Sequence, residues 1–120
     1  MSDSGRSALL VARQPARRRR IALALERQGV AVVGELGGPD EALAIVEQSE
    51  PAVLVVELSG ATDDRDLLAR NERVLELVRG ARELVPGLRV IAVTESLDPT
   101  MVARAVAKGV DAYILESDDL

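Results

Sequence analysis

Residues 51–58 read Pro51-Ala52-Val53-Leu54-Val55-Val56-Glu57-Leu58, and this stretch decides the fold. Val53 to Val56 is an unbroken row of branched aliphatic side chains. A strand with one wet face alternates apolar and polar residues, whereas a strand covered on both faces does not. The row predicts an inner strand of a parallel sheet. Pro51 closes the element before it, and Glu57 places a carboxylate at its far end.

The flanks fit this reading. Upstream, Ala42, Leu43, Ile45 and Val46 recur at helical spacing behind the turn Gly37-Gly38-Pro39-Asp40. Further back lie a strand at Val30–Val33 and a helix opened by Pro15 and ended by Gly29, with Ile21, Leu23, Ala24 and Leu25 as its apolar face. Before these comes a first strand at Ala8–Ala12. Downstream, Ser59 to Asp66 is an acidic loop. A helix from about Asp66 to Val85 follows, carried by Leu67, Val74, Leu75, Val78 and Ala81. Arg89–Val93 is a fourth strand. Asp98-Pro99 is a cap followed by a proline, opening a helix that runs to Lys108 and stops at Gly109. Ala112–Leu115 is a fifth strand. Strict β-α alternation and right-handed crossovers predict an α/β, flavodoxin-like, doubly wound sheet of five parallel strands in the order 2-1-3-4-5.

Composition narrows the function. The chain has 120 residues, of which 48% are hydrophobic, with no Phe or Trp and one Tyr. It has no Cys and no His, which removes disulfides, thiolate chemistry, and the commonest general base and zinc ligand. The net charge of −5 argues against non-specific binding to nucleic acid. No apolar run is long enough to span a bilayer, and Met1–Arg6 lacks a signal-peptide core. The expectation is a cytoplasmic protein with a disordered tail at 1–6 and one domain at 7–120. Parallel sheets are covered on both faces, and no helix follows the fifth strand. The final helix is therefore expected beyond Leu120, or its cover from a partner.

In such folds ligands sit at the C-terminal ends of the strands, near the switch point between strands 1 and 3. Those ends carry Ala12, Arg13 and Gln14, then Glu57 and Leu58, then Thr94 and Glu95, then Glu116 and Ser117. Here the chain resembles the receiver domain of two-component response regulators. Leu9-Leu10-Val11 resembles the family's first strand and Asp40-Glu41-Ala42-Leu43 the start of its second helix. Residues 51–58 resemble its phospho-acceptor segment, Arg89–Thr94 its fourth strand with a switch Thr, and Ala105–Leu115 the run into its fifth strand with a switch aromatic. The resemblance covers nearly the whole chain, and its flavour is that of receivers preceding a helix-turn-helix DNA-binding domain.

The departures fall on the chemistry. The resemblance implies an acidic, Mg²⁺-binding pair at Ala12 and Arg13, an acceptor Asp at Glu57 and a Lys at Glu116. Ala12 offers no ligand, Arg13 repels a cation, Glu57 is one methylene too long for in-line transfer, and Glu116 repels phosphate. The implied module is a degenerate pseudo-receiver, not an enzyme, without Mg²⁺ or another cofactor. It would act by protein contacts on an output domain, plausibly a DNA-binding transcriptional one. Arg13 is expected to pair with Glu57 in place of the metal, with Arg17 also within reach. Thr94 and Tyr113 match the switch pair, and Met101, Val102, Ala105 and Val106 are candidates for a homodimer surface with strand 5.

Other features have plainer readings. Four consecutive helical residues, Arg17–Arg20, sweep most of the circumference and are expected to be a solvated surface. Asp63, Asp64 and Asp66 are expected to favour a helix start. Gly37-Gly38 fits neither phosphate-loop fingerprint. The alternative function is a small-ligand or anion sensor using Arg13 and Thr94.

Overall fold

The computed structural model describes residues 6–60, 63–96 and 98–116. The elements alternate as β1 (Ser7–Val11), α1 (Pro15–Arg27), β2 (Ala31–Leu36), α2 (Ala42–Ser49), β3 (Val53–Glu57), α3 (Arg65–Leu84), β4 (Arg89–Thr94), α4 (Pro99–Lys108) and β5 (Ala112–Leu115). The strands form one parallel sheet in the order β2-β1-β3-β4-β5. This is the flavodoxin-like architecture expected from the alternation.

Local chemistry sets the boundaries. Pro15 opens α1, and Gly29 leaves it with φ +83°. The Asp64 carboxylate accepts from the Asp66 and Leu67 amides and so starts α3. Asp98 caps α4 through the Thr100 amide at 3.1 Å, and Gly109 ends it at φ +115°. Strand β2 differs from expectation, running on past Val33 to Leu36. Gly34 and Glu35 break the apolar run, but an edge strand tolerates a polar residue. Gly34 lets the β1 side chains approach, because a Cβ there would stand 2.9 Å from Leu9 Cδ1.

The two faces of the sheet are unequal. Leu9, Val11, Leu54, Val56, Val90 and Ala92 meet α2, α3 and α4 in the main core. On the other face Leu10, Ala12, Val55 and Val93 meet only Ala22, Ile21 and Leu25 of α1. Beside α1 an open groove of about 580 Å³ runs over Val55, Ile91, Val93 and Ile114.

Two expectations change. Met101 and Ala105 are buried in the main core, so α4 offers only Val102 and Val106 as candidate contact residues, with Val106 60% exposed. Residues 1–5 of the expected tail lie outside the described residues. Arg6 is tied down, with its carbonyl accepting from Ala31 N–H at 2.8 Å and its guanidinium donating to the Gln28 carbonyl. Among the described residues no helix is long and apolar enough to cross a membrane.

Candidate functional site

Glu57 ends β3 at the middle of the C-terminal edge of the sheet, and it is almost fully buried at 5% exposure. An ionised carboxylate there needs compensation, since desolvation penalises a bare buried charge. The chain supplies it from the loop after β1 and from the first turn of α1. Oε1 accepts from the Arg13 backbone N–H at 2.7 Å, and Oε2 accepts from Arg17 Nη1 at 2.7 Å. The side-chain cation is therefore Arg17, and the expected Arg13 side-chain pairing is corrected. Arg13 precedes the helix and its side chain is exposed. Arg17 lies in the first helical turn and projects back over the strand ends.

Arg17 does more than pair with Glu57. Its Nη2 donates to Glu95 Oε2 at 3.1 Å, after β4. Its Nε stands 2.8 Å from Glu116 Oε1, after β5, as an ion contact that is not aligned as a hydrogen bond. Arg20 reaches the other Glu116 oxygen at 3.3 Å. One guanidinium, 5% exposed, thus joins α1 to the ends of three strands.

The run Arg17–Arg20 is correspondingly not one solvated surface. Successive residues are about 100° apart, so each finds its own partner. Arg17 goes inward to Glu57. Arg18 Nη1 donates to the Ala12 carbonyl at 2.8 Å, Arg19 pairs with Glu35, and Arg20 with Glu116.

The remaining predicted positions spread out. Ala12 is fully buried and donates its amide to the Leu36 carbonyl at 2.9 Å. Thr94 is buried, but its hydroxyl donates to the Ser96 carbonyl at 3.0 Å and closes a local turn. Tyr113 is half-buried against the main core beside Ala92. Desolvation, then the charge of Asp98, raises the pKa of its hydroxyl. Glu116 donates its amide to the Thr94 carbonyl at 2.7 Å, while Ser117 lies outside the described residues.

Two buried polar residues were missed. Arg70 donates to the Glu57 carbonyl at 3.4 Å and the Gly37 carbonyl at 3.2 Å. Asn71 makes two bonds to the Ser59 backbone, at 2.9 and 3.0 Å, which fix the start of the β3–α3 loop. Their signal is a gap in the apolar spacing of α3 between Leu67 and Val74.

The Mg²⁺ implied by the resemblance does not fit these residues. Both Glu57 oxygens are already engaged, Ala12 has no donor, and a guanidinium lies where a cation would have to approach. Among the described residues no group of three Asp, Glu, His or Cys could hold a metal ion.

No family model matches the sequence, and no curated protein matches it. Solved structures match in fold. A two-component response regulator of the LuxR family from an Aurantimonas species superposes with a TM-score of 0.74 at 23% identity, covering 94% of this chain and 75% of that one. A DNA-binding response regulator of the LuxR family from Staphylococcus aureus gives 0.71 at 22%, covering 91% and 84%. The signal receiver domain of NarL from Mycobacterium tuberculosis gives 0.72 at 21%, covering 91% and 82%. At these identities the likeness is one of fold: the chain has the fold of response-regulator receiver domains.

Proposed function

We propose that this chain is a receiver-like signalling module that works without phosphoryl transfer and is not an enzyme. The observation that carries the reading is the buried Arg17–Glu57 pair, 2.7 Å apart, with Glu95 and Glu116 on the same guanidinium. A phosphoryl group arriving at this point would meet three carboxylates and an arginine already committed to them. Phosphoryl transfer needs cations to neutralise gathering negative charge, and this crevice has spent its cation on its own side chains.

The same contacts suggest what the module does instead. Arg17 clamps the loops after β4 and β5 to α1, so the surface they present is held in one state. That surface is read by a protein partner in the cytoplasm or by an output domain. Two fold neighbours are response regulators of the LuxR family, one of them DNA-binding, which favours a DNA-binding transcriptional output. Val102 and Val106 with β5 are the homodimer contacts in this reading.

Intact-mass spectrometry after incubation with Mg²⁺ and acetyl phosphate tests it. The expected result is no added phosphoryl group and no rise in Tm with Mg²⁺. A stoichiometric adduct at Glu57, Asp63 or Asp64 would overturn the proposal.

A further inference from the structure

The sheet is finished differently at its two edges. Strand β2 carries Gly34 and Glu35, and its register against β1 shifts between Ala8 and Leu9. Charge and an irregular register keep an edge strand from joining another chain. Strand β5, the other edge, reads Ala112-Tyr113-Ile114-Leu115, with no charge and an even register against β4. Ile114 is 49% exposed and Leu115 54%.

These side chains extend the open groove beside α1. Its floor is Val55, Ile91 and Val93, and Ile21 and Leu25 form its α1 wall. Ala112 and Ile114 lie opposite Ile91 and Val93 in the β4–β5 ladder, so the four share one face. Scattered exposed apolar residues are ordinary, whereas a contiguous apolar patch marks a contact surface. Parallel sheets bury both faces under helices, and α1 covers only part of this one. The α1 wall admits a second helix closely, because the exposed residue midway along it is the small Ala24.

The rim is basic in a chain of net charge −5. Arg20, Ala24 and Arg27 recur at helical spacing on one stripe of α1, and both arginines are exposed. Arg89 is exposed too, two residues before Ile91 and so on the same face of β4. The acidic residue lining the groove, Glu116, is already held by Arg17 and Arg20.

We propose that this groove binds an acidic amphipathic α-helix of a partner protein. Its apolar face covers Ile91, Val93 and Ile114, and its acidic flank meets Arg20 and Arg27. The six residues of β4 span about 20 Å, which about 13 helical residues match. Helix α1, on the same face, has 13. Apolar anchors at helical spacing supply the affinity, and the opposed charges select the partner. The groove takes this helix whether or not the crevice accepts phosphate.

Calorimetric titration of the chain with two synthetic helical peptides of about 13 residues tests the site. Both carry leucines along one face, and the flanks hold glutamates in one and lysines in the other. Saturable binding of the glutamate peptide is expected, with amide shifts at Ala24, Ile91 and Ile114 and about tenfold weaker binding of the lysine peptide. Ile114 and Arg27 are exposed, so Ile114→Asn and Arg27→Glu are expected to keep their Tm. Ile114→Asn should weaken binding about tenfold, and Arg27→Glu should narrow the gap between the peptides. Absence of saturation by about 1 mM overturns the proposal, as does equal binding of the two peptides or undiminished binding by Ile114→Asn. The same amide shifts on raising protein concentration alone, with a dimer in sedimentation, would give the groove to a second copy. The same shifts on deleting residues 117–120 would give it to the chain itself. Either result overturns the partner helix.

Discussion

Helices α1 and α3 lie on opposite faces of one sheet and are held there by different forces. Helix α3 buries Val74, Leu75, Leu77, Val78 and Ala81, besides Arg70 and Asn71. Helix α1 buries only Arg17 and Ala22. The first is attached mainly by apolar area, the second by a thin apolar contact and one multiply paired guanidinium. Apolar attachment is non-directional and tolerates sliding. An ion pair with three anchors sets position. The same sheet therefore has a face that supplies stability and a face that fixes the geometry of the strand ends.

The sharpest way to break this contrast is Arg17→Met. Removing one partner of a buried pair costs about 3–5 kcal/mol, because the Glu57 carboxylate stays buried. The expected outcome in urea denaturation is a loss in that range, with hydrogen exchange rising first in α1 and after β4 and β5. A loss below ~1 kcal/mol would mean that water replaces the guanidinium at little cost and that α1 is held by its apolar face.

Leu75→Ala addresses the other face. A fully buried Leu in the main core should cost about 2–5 kcal/mol. Leu25→Ala on α1 should cost only about 1 kcal/mol, since Leu25 is partly buried and borders the open groove. Equal losses in the two variants would contradict the asymmetry of the faces.

The smallest expected effect is at the α3–α4 surface. Glu76 hydrogen-bonds Lys108 and Arg79, and these hold its carboxyl at about 2, below the usual 4.5. A depressed carboxyl stabilises the fold above its unfolded pKa and loses that contribution as pH falls through the folded one. Glu76→Gln should therefore lower Tm slightly at neutral pH, and the gap should close between pH 4.5 and about 2. High salt should also shrink it. A gap that persists at pH 2 would show that the contact works by packing.

The fold was legible because its punctuation is strong. Pro15, Pro51, Asp98-Pro99 and Gly109 mark helix ends by mechanisms that need no tertiary context. Strand β2 runs past the apolar stretch Val30–Val33 because pairing, not composition, carries Gly34 and Glu35 into the ladder. In the site, the positions of Glu57, Glu116 and Thr94 followed from topology, but their partners did not. Nothing in a run of four arginines tells which one turns inward, since that depends on the angle at which α1 leaves β1. Arg70 was invisible for the same reason: a charged residue in a helix looks solvated until the neighbouring loops close over it.

The Arg17 clamp also bears on descent. Suppose a lineage at this sequence were selected to gain a phospho-acceptor. Glu57→Asp alone shortens the carboxylate away from Arg17, and Glu116→Lys alone sets a second cation against it. Losing Arg17 first strands Glu57 in the interior. Each single step leaves charge unbalanced around Arg17. Such coupling makes single substitutions in the crevice costly, and a double-mutant cycle on Arg17 and Glu57 would measure it.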